Sequence, residues 1–402
     1  MRNIIKDNEK NEFVSGHNFC EVIDRANTNT MKWNCKSIFG EDDVLPFWVA
    51  DMDFKSPQPV IDSLANRAEH GIYGYTLPGR SYKESITNWI TNRHNWEVNQ
   101  DWILTLPTLI YGITLIMRTF SNVGDQIVIQ QPVYHPFARI VNSNQRELSV
   151  NELVYENGSY KIDFDDLEQR LANPKTKIFL LCSPHNPVGR VWTKDELKQM
   201  GELCLKHDVF IISDEIHWDL VFADYKHIPT ASISEEIANI TFTCTAPTKT
   251  FNLAGLHISN LIISCKQKRK QIITEINNAG LNDNNIFGLI ALEAAYTHGE
   301  RWLVDLMVYL HRNLQLIEQH VQANWPAVKL VQLEGTYLAW LDIKSTGASD
   351  EEIQKRLVKE AKVALHMGST FGQGGEGFLR MNFACPHSML KIGLQRMDKV
   401  LK

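Results

Sequence analysis

The sequence predicts an α/β fold, a mainly parallel sheet flanked by helices, joined to a smaller α+β region at the C-terminal end. Three observations carry this prediction. Short apolar runs recur through the middle of the chain, helix-like stretches separate several of them, and the pattern changes over roughly the last hundred residues.

The strand candidates come in order: Gln126–Gln130, Lys177–Cys182, Val209–Ser213, Ile240–Cys244 and Ile258–Ser264. These short apolar runs suit strands covered on both faces. Between the second and third, Thr193 opens TKDE, a capping box ahead of Leu197, Met200 and Leu203. A long helical stretch runs from near Arg301 to about Asn324. Strand-like Thr336–Asp342 follows, then a helix from Asp350, a strand at Phe378–Phe383 and a terminal helix. This predicts three parts: an N-terminal segment (1–50) packing on the small domain, a large domain (51–295) and a small C-terminal domain (296–402).

Composition narrows the function. The 402 residues exceed one small core, and 44% hydrophobic with 22% charged residues is ordinary for a globular chain. With a formal net charge of -6 the chain as a whole offers no basic surface for nucleic acid, which leaves local patches open. The opening MRNIIKDNEKNEF lacks an apolar core for a signal peptide, and no apolar run approaches the roughly 18 residues of a membrane span. The seven cysteines are odd in number and form no CxxC pair, so the expected setting is a reducing cytoplasm without a disulfide framework or zinc site.

Three segments carry chemistry, each after a predicted strand. In APTKTFNLAGL (246–256), Lys249 stands among hydroxyl and apolar neighbours. An isolated lysine is usually a solvated loop residue. Here Thr248 and Thr250 could meet an anion, and a desolvated amine can form a Schiff base with an aldehyde. In SDEIHWD (213–219), Asp214 ends a strand, where open α/β sheets bind ligands. A helix N-cap is the plainer role for it, and Asp214, Glu215 and His217 match no trusted metal-site spacing. In SPHNPVGR (183–190), two prolines stiffen a turn, Gly189 permits close backbone approach, and Asn186 projects an amide from the same edge. A plain turn remains open.

Together with VLPFWVADMDF (44–54), HGIYGYT (70–76), QPVYHPF (131–137), IDFDDLE (162–168), EGTYLAWLD (334–342) and FLRMNFACP (378–386), these segments resemble the aminotransferase class I/II family of fold-type I pyridoxal 5′-phosphate (PLP) enzymes. They resemble most its cystathionine β-lyase branch, over nearly the whole chain. The resemblance implies a seven-stranded sheet and a homodimer with a shared active site. Lys249 then carries the cofactor and moves the substrate's α-proton. Asp214 pairs with the ring nitrogen, while Asn186 and His217 lie near the ring's phenolic oxygen. Tyr134 lies against the ring face. The amides of Thr108, Leu109 and Ile110, with the Thr248 hydroxyl, meet the phosphate, and Tyr75 reaches it from the neighbouring subunit. Arg380 grips the substrate α-carboxylate, with Tyr75, Tyr134 and Asn186 beside it. Trp48, Tyr111 and Phe371 are candidate walls for the leaving group, an ordinary core role being the alternative for each.

Two departures stand out. Thr108 replaces the family's usual glycine, and a positive φ there would strain it. His257 stands where many aminotransferases carry a phosphate-binding arginine, which leans toward the lyase branch. Gly372, Gly374 and Gly377 have GxGxxG spacing, but a strand follows them where a dinucleotide site needs a helix. A loop beside Arg380 is the better reading. The expected reaction is α,β-elimination from an L-cysteine S-conjugate such as cystathionine. The rivals are an aminotransferase, sharing every cofactor residue, and a regulatory protein keeping the fold for partner binding.

Overall fold

The computed structural model describes residues 16–25 and 27–402. The opening MRNIIKDNEKNEF, and with it part of the 1–50 segment, lies outside the described residues.

Seven strands form the main sheet: β1 (Ile103–Leu106), β2 (Gln126–Gln131), β3 (Glu147–Glu152), β4 (Thr176–Cys182), β5 (Phe210–Asp214), β6 (Thr241–Thr245) and β7 (Ser259–Ile262). Their order is β1-β7-β6-β5-β4-β2-β3. β7 runs antiparallel to both neighbours and the other pairings are parallel. The period of two sends alternate side chains to opposite faces. Ile127, Ile129, Ile178 and Leu180 pack with the helices Leu109–Phe120 and Pro136–Ser143 on one side. Val128, Phe179, Leu181 and Ile211 pack with Phe164–Leu171 and Lys194–Lys206 on the other. Cover on both faces explains why these strands read as continuous apolar runs. Thr193 and Glu196 make the reciprocal capping bonds that their spacing predicts.

A second sheet joins β8 (Lys329–Leu330), β9 (Leu338–Asp342), β10 (His366–Met367) and β11 (Phe378–Asn382) in the order β8-β9-β11-β10, all antiparallel. The helix Glu300–Asn324 and the terminal helix His387–Leu401 share the largest hydrophobic cluster with it. Leu45–Pro46 pairs with Val363–Ala364, and Phe19 sets its ring edge against Trp302 at 5.6 Å.

The connection between that first bridge and the main sheet is a strap, residues 48–54, and it positions the site. Its Asp53 accepts from Arg25 (2.6 Å), Lys32 (2.7 Å) and Trp33 (2.8 Å). Asn382 Nδ2 donates to the carbonyls of Val49 and Asp51, each at 2.6 Å. Asn252 closes the far end by bonding Met52 N, Met52 O and Phe54 O. Lys32 is only 1% exposed, so its charge is tolerable because carboxylates and the Asp51 carbonyl surround it.

Candidate active site

β2, β4, β5 and β6 are parallel, so their C-terminal ends lie along one edge, and each feeds a candidate residue into it. Such an edge is where open α/β sheets bind ligands. Cys182, Asp214 and Cys244 are register partners across β4, β5 and β6. The turn after β4 delivers Asn186, β5 ends on Asp214, and β6 passes through Ala246 into the short helix Pro247–Thr250 that carries Lys249.

Lys249 is partly buried, and its Nζ donates to the Ala50 carbonyl of the strap at 2.5 Å. Burial pushes its pKa down from the ordinary lysine value to about 8. The nearby Asp51 and Asp214 charges pull it up, and Arg380 pushes it further down. The lysine-bearing helix is tied beneath by Thr250, whose hydroxyl donates to Asp219 at 2.7 Å. His94, Trp89 and Arg93 hold that same fully buried carboxylate.

Asp214 is 5% exposed and accepts from Ile216 N at 3.1 Å. Burial drives its pKa up to about 7, with the adjacent Glu215 charge adding to the rise and Lys249 opposing it. Glu215 itself turns away from the site onto Ser213, His227 and Thr230. His217 is buried with its ring 6.0 Å from that of Tyr337, and burial holds it neutral. The Tyr337 hydroxyl donates to Ala50 O at 3.0 Å, the carbonyl that also receives Lys249.

Asn186 joins the other wall. Its carbonyl accepts from Tyr134 N at 3.0 Å and its Oδ1 accepts from Arg380 Nη1 at 3.0 Å. Arg380, in the middle of β11, also donates through Nη2 to Trp48 O at 2.8 Å, and its guanidinium lies 4.8 Å over the Phe371 ring. Burial lowers its pKa to about 10, so it stays a cation at neutral pH. Two buried polar atoms in this group, His217 Nδ1 and Arg380 Nε, have no hydrogen-bond partner among the described residues. Buried polar atoms are normally satisfied, so these two have hydrogen-bonding capacity open to a polar ligand.

Thr108 caps the helix Leu109–Phe120, its Oγ1 accepting from Tyr111 N at 3.4 Å. The strain expected from a glycine replacement does not arise, because Thr108 has φ -144°, extended backbone that any residue adopts. The amides of Leu109 and Ile110 open that helix at the end of β1, where an anion is favoured. Thr248 is buried one residue before Lys249.

Some candidates lie elsewhere. Tyr75 is 97% exposed, beside Tyr73, Asn284, Asn285 and Ile286 around an open hollow. Tyr111 is half exposed, and His257 is exposed in a left-handed turn with φ 50°. Gly372 starts the glycine loop at φ 97°, and a Cβ there would lie 2.2 Å from the Gln131 side chain. The loop thus serves close packing ahead of β11.

Sequence reasoning missed three contributors, Ala50, Asp51 and Tyr337. ADMDF and EGTYLAWLD were quotable as motifs, but a backbone carbonyl acting as acceptor leaves no side-chain signal.

A family model described as aminotransferase class I and II matches residues 43–397. Cystathionine beta-lyase PatB of Bacillus subtilis is 42% identical over 385 residues, spanning 96% of this chain and 100% of that protein. Protein MalY of Escherichia coli is 35% identical, spanning 96% of this chain and 98% of that protein. The crystal structure of cystalysin from Treponema denticola, which contains a pyridoxal 5′-phosphate cofactor, matches with TM-score 0.92 at 35% identity. That match covers 95% of this chain and 98% of the cystalysin chain.

The lowered pKa of Lys249 has a direct consequence. Only the neutral amine attacks an aldehyde, so a pKa near 8 leaves far more reactive amine at neutral pH than an ordinary lysine holds. Limiting formaldehyde with cyanoborohydride should methylate Lys249 ahead of surface lysines. Its rate should rise with pH and level off above about 8. A Lys249 rate still climbing steeply beyond pH 9.5, read by peptide mass spectrometry, would contradict the desolvated amine.

Proposed function

The chain belongs to the aminotransferase class I and II family, and we propose that it is a PLP-dependent carbon–sulfur β-lyase. In this reading it cleaves L-cystathionine or a related L-cysteine S-conjugate by α,β-elimination to a thiol, pyruvate and ammonia. The observation that carries the reading is the convergence of a desolvated amine, Lys249, and a desolvated carboxyl, Asp214, at one sheet edge bounded by a buried arginine. The cofactor residues serve lyases and transaminases alike. The preference for elimination rests on the likeness to PatB and MalY and on His257 in place of an arginine.

The residues present fit pyridoxal phosphate. Lys249 supplies the neutral amine that an aldehyde needs, and Asp214 supplies a buried acid whose ionised form a cationic ring nitrogen would favour. Asn186 and His217 offer polar atoms for the ring oxygen, Tyr134 a face for the ring, and Thr108, Leu109, Ile110 and Thr248 donors for the phosphate. When bound, the cofactor supplies a sink for the electrons released as the Cα–H bond breaks.

The chain's own groups do the rest. Arg380 binds the substrate α-carboxylate, with Asn186 Oδ1 and Trp48 O holding the guanidinium's orientation. Tyr134 flanks the same substrate position, and Tyr75 would reach it from the neighbouring subunit. Lys249 Nζ takes the Cα proton and can deliver it to the departing sulfur. Its attachment to Ala50 O offers that amine a defined resting place.

A homodimer with a shared active site belongs to the same proposal. Ile72, Tyr73, Tyr75 and Leu77 expose apolar side chains in one short stretch, at 68%, 56%, 97% and 81%. A second copy covering this stretch would remove them from water and bring Tyr75 to the partner's phosphate site. No helix among the described residues is long and apolar enough to cross a membrane, and a cytoplasmic setting suits the seven free cysteines, five of them buried.

The reaction is tested by incubating the PLP-loaded protein with L-cystathionine and no keto acid. Pyruvate, ammonia and thiol should form in equal amounts; a requirement for a keto acid with return of an amino acid would install the aminotransferase reading instead. For the interface, sedimentation should give a dimer, and Tyr75→Phe should weaken PLP binding about ten- to a hundredfold, as loss of a hydrogen bond to a charged group does. A fully active monomer at assay concentration would remove the shared site.

A further inference from the structure

Arg380 and His366 are register partners across β11 and β10. Arg380 Nη2 lies 2.8 Å from His366 Nδ1 and 2.8 Å from Trp48 O. A guanidinium nitrogen can only donate, so in the Nε2–H tautomer His366 Nδ1 accepts from Nη2, whereas in the Nδ1–H tautomer it donates to Trp48 O. In the first tautomer, Nδ1 and Trp48 O both accept from the Nη2 amino group. Three rings fix the imidazole in place: Trp48 at 5.6 Å, Phe371 at 5.8 Å and His135 at 5.9 Å. Burial and the Arg380 charge push the His366 pKa down to about 3, so the ring stays neutral across the working range.

The charge state decides what this contact does. A carboxylate beside Arg380 would orient the guanidinium and also offset its charge, weakening its pull on an incoming anion. A neutral imidazole orients it and leaves the full charge for the ligand. Nη1 is held by Asn186 and Nη2 by Trp48 and His366, while Nε is buried without a partner among the described residues.

We propose that His366 is a positioning residue for substrate recognition, an uncharged acceptor that aims Arg380 at the substrate α-carboxylate without cancelling its charge. This rests on the reading of Arg380 as the carboxylate site. His366 does not touch the reacting atoms, and the contact is equally present in ground and transition states. Its loss therefore raises KM and leaves kcat nearly unchanged.

The test uses an isosteric pair in the PLP-loaded protein. Asparagine places Oδ1 where Nδ1 stood, and leucine keeps the size without the acceptor. His366→Leu should raise KM for L-cystathionine about ten- to a hundredfold, the range for one hydrogen bond to a charged group, with kcat within about threefold. It should weaken binding of propionate, a carboxylate that cannot react, by a similar factor, read from the visible absorbance band. His366→Asn should recover most of both losses. Should the leucine variant not fold, His366→Gln, which moves the acceptor off the Nδ1 position, should show the same loss. Arg380→Lys is measured alongside. If it raises KM while His366→Leu (or His366→Gln) does not, or while asparagine rescues nothing, His366 has only a packing role and the inference is overturned. If Arg380→Lys leaves KM and propionate binding unchanged, Arg380 is not the carboxylate site and the reading beneath the inference fails with it.

Discussion

The site depends on keeping one lysine amine largely out of water. Desolvation alone would drive the Lys249 amine toward neutrality and leave its hydrogens unsatisfied, so the fold supplies a single strong acceptor, Ala50 O, on a strap remote in sequence. The strap cannot drift, because Asp53 is clamped by Arg25, Lys32 and Trp33 and its two ends by Asn382 and Asn252. Buried ion clusters cost desolvation and are weak evidence of stability by themselves. Here the cluster earns its place by geometry, setting which carbonyl and which charge, Asp51, the lysine meets.

The sheet provides the second constraint. Parallel strands put all their C-terminal ends on one edge, so residues from distant parts of the chain arrive together without long loops. That edge is dry, and dryness acts oppositely on opposite charges: it raises Asp214 toward 7 and lowers Lys249 toward 8. A base whose pKa has moved toward neutrality suits proton transfer near pH 7. The arginine on the second sheet remains charged under the same burial because its ordinary value is so high.

Much of this was legible in the sequence, for local reasons. Strands buried on both faces announce themselves as apolar runs, and the turns after them place Asn186, Asp214 and Lys249 by simple succession. The edge strands were less visible. β3 (Glu147–Glu152) buries only Ser149 and Asn151, so its pattern is polar, and β1 (Ile103–Leu106) has two partly buried residues of four. The antiparallel direction of β7 leaves no mark in composition. The contacts that tune the site were illegible because they are made by folding: a carbonyl at Ala50, a phenol at Tyr337, and the cross-strand pairing of His366 with Arg380. Tyr75 was legible as a motif, yet one chain leaves it in solvent.

The site turns on which lysine meets the aldehyde. Protein incubated with pyridoxal phosphate, reduced with borohydride and digested gives a peptide map in which the pyridoxyl increment can be located. The increment should sit on Lys249 alone and vanish in Lys249→Ala; its appearance on any other lysine, or the failure of Lys249 to label, would contradict the site described.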